Sequence, residues 1–218
     1  MMILASQSPR RQQLLSWTGW DFQVIPAFND EEVAQGEPPL DYVKRMSCEK
    51  AVAIHPNSHK NDLILAADTI VLFEEKILGK PANPEMAKEF LAELRGKVHQ
   101  VHTALCIQEP GMERIEKELC TSQVEMRGYS EEEMQAYIDS GDPMDKAGAY
   151  AVQLKGFHPV KNFKGCLANV MGLPLCHLVR AMGRMGVDPR MDVPFTCQKN
   201  LGYDCPVTAR ILKGENVG

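Results

Sequence analysis

The chain has 218 residues, 44% of them hydrophobic and 24% charged, with a net charge of −5. That length supports a well-buried core, no run approaches the ~18 consecutive apolar residues of a membrane span, and the acidic balance argues against nucleic acid as a partner. Seven cysteines, an odd number with no CxxC pair, suit free thiols in a reducing compartment better than a secreted disulfide framework. The start, MMILASQSPRR, has too short an apolar stretch for a signal sequence, and its charges follow that stretch. A cytoplasmic protein is expected.

Residues 2–6 read as a short buried strand and 9–18 as a helix. DFQVIPA, from Asp21, is strand-like. A helix is expected over 39–54, where Leu40, Val43, Met46, Ala51 and Ile54 recur at helical spacing. LILAADTIVLF (63–73) is an apolar, β-branched run with Asp68 and Thr69 in its middle. Asn83-Pro84 starts a helix that Gly96 closes, over about 84–95. VHQVHTALCIQ (98–108) and LCTSQVEMR (119–127) alternate like half-buried strands. Ser130, with Glu133 three residues on, forms a capping-box pattern for a helix ending near Ser140-Gly141. The loop DPMDKAGAY leads into AVQL, and the stretch 169–183 reads as helical after GLP. Strands alternating with helices predict an α/β domain with a mixed sheet over 1–186. The Pro-, Asp- and Cys-containing stretch 187–218 has little periodicity and predicts an irregular extension.

Three groups of residues carry chemistry. In Ser6-Gln7-Ser8-Pro9-Arg10-Arg11 a strand ends and a helix begins. Ser8 suits the N-cap and Pro9 the first helical position. The helix N-terminus, two arginines and the Ser6 and Ser8 hydroxyls together suit a polyphosphate; the alternative is a surface helix start with solvated arginines. A charged carboxylate inside an apolar run is costly unless paired or metal-bound. Asp68 is therefore expected at a strand end or bend opening into a cleft, where it holds a divalent metal or takes a proton from water; a plain turn is the alternative. Asp30-Glu31-Glu32 offers further oxygen ligands or is a solvated acidic run. Lys50, Lys80 and Lys146 are candidate cations for a phosphorylated ligand. His99 and His102, three apart on a strand, face opposite sides. Cys166, Cys176, Cys197 and Cys205 match no common zinc spacing and are read as idle thiols.

Taken in order, ILASQSPRRQQLL, Asp30-Glu31, CEKA (48–51), AADTIVLF (66–73), LGKP (78–81), VHQVHTA (98–104), SGDPMDKAGAYAVQ (140–153) and NVMGLPL (169–175) resemble the Maf family. The resemblance implies a nucleoside triphosphate pyrophosphatase that splits the bond between the α- and β-phosphates with a divalent metal, Mg or Mn. It also implies a Maf/ITPase-like α/β fold, with an elongated mixed β-sheet, flanking helices and two lobes around a deep central cleft, in a cytoplasmic homodimer. By the same resemblance Asp68 is the general base and, with Glu31, a metal ligand. Lys50 and Lys80 are catalytic cations. Ser6, Ser8, Arg10, Arg11, Thr69, Lys146 and Gln153 bind substrate. Arg10, Thr69 and Gln153 match the branch acting on dTTP and UTP, whereas the 7-methyl-GTP branch tends to have an aromatic, glutamine and glutamate at those places. An amide at Gln153 offers the donor and acceptor that a pyrimidine imide edge needs. Leu154 and Lys155 stand where the family commonly continues with glycine. A non-catalytic regulator of septum formation is the alternative of another class.

Overall fold

The computed structural model describes residues 1–28, 32–152 and 156–218. Its strands are β1 (Met2–Leu4), β2 (Phe22–Val24), β3 (Leu63–Phe73), β4 (Lys76–Leu78), β5 (Val98–Glu109), β6 (Arg114–Met126) and β7 (Val160–Lys161). They form one sheet in the order β2-β1-β3-β5-β6-β7, with β4 on the far half of β3. β1 runs parallel to β2 and β3, and the remaining pairs are antiparallel. The sheet is mixed and helices flank it, as the alternating sequence pattern predicts. The helices are α1 (Pro9–Ser16), α2 (Pro39–Val52), α3 (Pro84–Leu94), α4 (Glu131–Asp139), α5 (Leu167–Val170), α6 (Leu175–Arg184), α7 (Val193–Leu201) and α8 (Thr208–Leu212).

The long strands β3 and β5 are covered on both faces, which explains their near-continuous apolar sequence. Ile64, Ala66 and Ile70 of β3, with Ala104 and Cys106 of β5, pack under Val43, Met46 and Ala51 of α2. The other face divides in two. Leu65, Ala67, Leu105 and Ile107 join Leu14, Leu15, Leu178 and Met182 of α1 and α6. Val71, Phe73 and Val101 join Leu91, Leu94, Met134 and Ile138 of α3 and α4. Two cores thus share one sheet, and Thr69 and Thr103, paired across β3 and β5, lie at the boundary.

The helix expected after GLP forms as α6, with Pro174 at its N-cap, and the short α5 before it ends where Gly172 takes a φ of +98°. One expectation is corrected. The stretch 187–218 is not irregular throughout: α7 and α8 form within it. Asp192 caps α7, a proline follows in its first turn, and Gly202 ends it at a φ of +58°. Both helices are too short for an apolar period to show in the sequence. They are anchored by single residues, since Val193 and Ile211 are fully buried in the first core. Trp20 Nε1 donates to the Asp188 carbonyl at 2.9 Å and the Tyr203 hydroxyl to that of Gly165 at 2.9 Å, which fastens the extension to the domain.

Three histidines, His99, His102 and His177, are buried within these layers. His99 Nε2 lies 2.7 Å from the Tyr150 hydroxyl, and neither ring nitrogen of His177 has a partner among the described residues. Burial pushes the His99 and His177 imidazoles down from 6.5 to about 4. The unfolded chain therefore binds protons below pH 6.5 that the folded chain refuses until about pH 4, so stability falls as pH drops through that window. Each group contributes at most about 1.4 kcal/mol per pH unit. Urea midpoints measured between pH 7 and about 4 are expected to fall, with a shallower slope for His177→Leu; an unchanged slope in that variant would show that His177 titrates normally.

Candidate active site

The site is assembled where β1 gives way to α1, beside the middle of β3. Ala5 N–H donates to the Leu65 carbonyl at 2.8 Å, which carries the parallel pairing one residue past β1. The chain then turns. Ser6 Oγ accepts from Ser8 N–H at 3.2 Å, and Ser8 Oγ caps α1 by accepting from Arg11 N–H at 3.4 Å, with Pro9 in the first turn.

Arg11, expected beside Arg10 as a phosphate ligand, gives its guanidinium to protein acceptors. Nη1 donates to the Ala67 carbonyl at 2.7 Å and to Ser6 Oγ at 3.4 Å. Nε donates to the Gly172 carbonyl at 2.9 Å, and Nη2 to Thr69 Oγ1 at 3.0 Å. It clamps the turn, β3 and the α5–α6 connection together. Thr103 Oγ1 donates to the Asn169 carbonyl at 3.0 Å, so in the 2.9 Å contact between the two threonines the Thr69 hydroxyl is the donor. Thr69 thereby uses its proton inside the protein and retains only an acceptor lone pair for a ligand.

Asp68 lies on the other face, as strand alternation requires. Lys50 Nζ, from α2, donates to its Oδ1 at 2.5 Å, and the two side chains are only 11% and 10% exposed. Here too the structure corrects an expectation. Asp68 sits in mid-strand, paired with Ala104 of β5, instead of at a strand end or bend. The Lys50 charge compensates it in place, so no break in the ladder is needed.

Arg10 and Lys146 meet on one carboxylate. Arg10 Nη1 lies 3.3 Å from Asp145 Oδ2 and Lys146 Nζ 2.7 Å from Asp145 Oδ1. Burial pushes Asp145 up, but the Lys146 hydrogen bond and the Arg10 charge more than offset it and hold the carboxyl below its usual range. α1 packs in the first core and Met144, Ala147 and Ala149 in the second, so this contact spans the two. Lys80 is exposed after β4; Gly148 N–H donates to the Gly79 carbonyl at 3.0 Å, which sets the Lys80 and Lys146 loops side by side. Glu31 and Gln153 lie outside the described residues. Among the described residues no three His, Cys, Asp or Glu side chains converge to hold a metal. Asp145, Asn169 and Gly172 were not singled out from the sequence, since each acts through a partner more than twenty-five residues away in the chain, except for the adjacent Lys146.

Gly172 has no room for a side chain. A Cβ there would lie 3.2 Å from Arg11 Nε and 3.3 Å from Thr69 Oγ1, at a φ of +98°. Gly172→Ala is expected to destabilise the protein by about 1–3 kcal/mol in urea unfolding, and a variant as stable as the parent would show that the clamp yields freely.

Residues 1–185 match the family described as Maf-like protein. The chain is 43% identical to a dTTP/UTP pyrophosphatase of Dehalococcoides mccartyi over 194 residues, covering 87% of this chain and 84% of that one. It is 40% identical to a dTTP/UTP pyrophosphatase of Dictyoglomus thermophilum over 187 residues, covering 85% and 96%. Among solved structures, a nucleoside-triphosphatase/dITP/XTP pyrophosphatase from Mycobacterium abscessus aligns with a TM-score of 0.44 at 12% identity, covering 84% of this chain and 97% of that chain. With that family match over most of its length, the chain belongs to the Maf family.

Proposed function

We propose that this chain hydrolyses dTTP and UTP to the monophosphate and pyrophosphate. The observation that carries the reading is the buried Lys50–Asp68 pair in the middle of β3, set beside the serine- and arginine-bearing start of α1. The relatives named dTTP/UTP pyrophosphatase support the substrate class, and Arg10, Thr69 and Gln153 support the pyrimidine preference.

In this mechanism the triphosphate enters at the 6–11 turn. Its negative charge competes with Asp145 for Arg10 and Lys146, and Lys80 adds a further cation from the neighbouring loop. Asp68 orients a water against the α-phosphorus and takes one of its protons. The bond from the α-phosphorus to the bridging oxygen breaks, and pyrophosphate leaves with the electron pair. Lys50 holds the Asp68 carboxylate in place through their 2.5 Å contact. Arg11 keeps the turn and Thr69 in place and adds its charge beside the phosphates. A donor set of one or two carboxylates would suit a magnesium or manganese ion, because Mg²⁺ is usually held by one or two carboxylates plus substrate phosphates. Asp68 and Glu31 are the protein's proposed share of it, and when bound it neutralises phosphate charge. The homodimer and the cytoplasmic setting belong to the same proposal. Among the described residues no helix is long and apolar enough to cross a membrane.

A nucleotide panel (dTTP, UTP, CTP, 7-methyl-GTP, GTP, ATP) with magnesium or manganese tests the proposal, scored for pyrophosphate separately from phosphate. Pyrophosphate release strongest with dTTP and UTP is expected. Release from 7-methyl-GTP would keep the reaction and overturn the specificity, and none from any nucleotide would favour the regulatory binding protein. Asp68→Asn should lower kcat by about 10²–10⁴ in a protein that still unfolds cooperatively, at a lower temperature because Lys50 loses its counter-charge; full activity in that variant removes Asp68 as the base.

A further inference from the structure

We propose that Cys48 is a peroxide-reactive thiol and that Cys106 beneath it is its resolving partner, closing a disulfide between α2 and β5. Nothing in the hydrolytic reading uses either residue. Cys48 is half-buried on α2 at the edge of a surface concavity of about 640 Å³ lined also by Lys44, Arg45 and Lys117. Glu49 lines the concavity too and pairs with Arg45, and Lys44 pairs with Asp41, so Lys117 is the cation of this lining that bears on the Cys48 thiol. Cys106 is fully buried on β5 and packs in the same apolar cluster. Cys48 packs against that cluster, and Lys117, the cross-strand neighbour of Cys106, lines the same concavity as Cys48, which puts the two thiols in one layer between α2 and the sheet; the Gln108 amide donates to the Cys106 sulfur at 3.6 Å.

The electrostatics agree with that geometry. The hydrogen bond from Cys106 holds Cys48 down at about 6; burial opposes it, and the Lys117 charge and hydrogen bonds from Ser47 and Lys117 reinforce it. Cys106 keeps the shared proton and is pushed up. The thiols of the first core go the other way: burial raises Cys176 to about 11 and Cys197 to about 12. Reactive cysteines are partly exposed, cation-flanked thiolates, and sensor cysteines stand next to a resolving thiol. Cys48 meets both conditions.

The chemistry closes with a peroxide as the only co-reactant. The Cys48 thiolate sulfur attacks one peroxide oxygen, the O–O bond breaks, and hydroxide departs. Sulfur is oxidised by two electrons to the sulfenic acid and the peroxide is reduced. The Cys106 sulfur then attacks the Cys48 sulfur, the S–O bond breaks, and the leaving hydroxide takes the Cys106 proton as water. One thiolate, one thiol and one hydrogen peroxide give one disulfide, one water and one hydroxide.

Two measurements on the full chain test this. Alkylation of Cys48 by iodoacetamide, followed by peptide mass spectrometry across pH, is expected to show a rate inflection near pH 6, well below the ~8.5 of an ordinary thiol. Hydrogen peroxide at neutral pH is expected to join the Cys48 and Cys106 peptides, with a loss of two hydrogens that dithiothreitol reverses. In Cys106→Ser, which keeps a donor beside Cys48, the sulfenic acid should accumulate and be trapped by dimedone. An inflection between pH 8 and 9 would overturn the proposal, as would peroxide leaving the Cys48–Cys106 pair unjoined in the parent chain. The alkylation profile needs only the parent, so it stands if Cys106→Ser fails to fold.

Discussion

A carboxylate in the middle of a strand covered on both faces has to be neutralised where it stands, and the arrangement around Asp68 follows from that. The compensating charge must come from above the sheet, so α2 has to cross β3 and β5 at the level of residue 68. Val43, Met46 and Ala51 hold it there by packing on Ile70, Ala104 and Ala66. Lys50 reaches Asp68 from within this apolar contact. A buried pair of this kind adds little net stability, but removing one partner leaves an uncompensated charge. The same packing that stabilises α2 therefore also sets the position of the proposed base.

The second constraint is that one sheet face carries two cores. Where they part, backbone and side-chain polar groups would be left without partners, and each would cost free energy. Arg11, Thr69, Thr103 and Asn169 fill that seam. The guanidinium satisfies two carbonyls and two hydroxyls drawn from the β1–α1 turn, β3 and the α5–α6 turn. The threonine relay passes the polarity on to α5, and the Asn169 amide donates to the Val101 carbonyl and Ser122 Oγ. A ligand bound at the seam meets groups whose hydrogen-bonding roles are already assigned, which is the condition for electrostatic preorganisation.

Local features of the sequence were legible because their causes are local. The span of β3 was read from its apolar run, and the cap of α4 from Ser130 and Glu133, whose reciprocal hydrogen bonds are both present. The turn at Ser8-Pro9 was read in the same way, from capping chemistry within four residues. What escaped was non-local. That Arg11 turns inward while Arg10 faces Asp145 depends on carbonyls at 67 and 172 and a carboxylate at 145. No spacing between two adjacent arginines encodes that. Asp68 was placed at a bend because burial was reckoned without Lys50, eighteen residues earlier in the chain.

The extension beyond the family match shows why short helices hide in a sequence. α7 and α8 have nine and five residues, too few to be stable alone and too few to display a period. Their stability has to come from docking, so the informative residues are single anchors: Val193 and Ile211 in the first core, the Asp188 carbonyl on Trp20, and the C-terminal carbonyls that Arg180 gathers while it also pairs with Glu118. Arg180 sits on α6 and Glu118 on β6, both within the family domain. Its guanidinium thus ties the C-terminal carbonyls to the same element that lines the first core, and that core in turn supports α1 and the proposed phosphate turn. The extension is coupled to the site through packing on a shared core, without placing any residue in it.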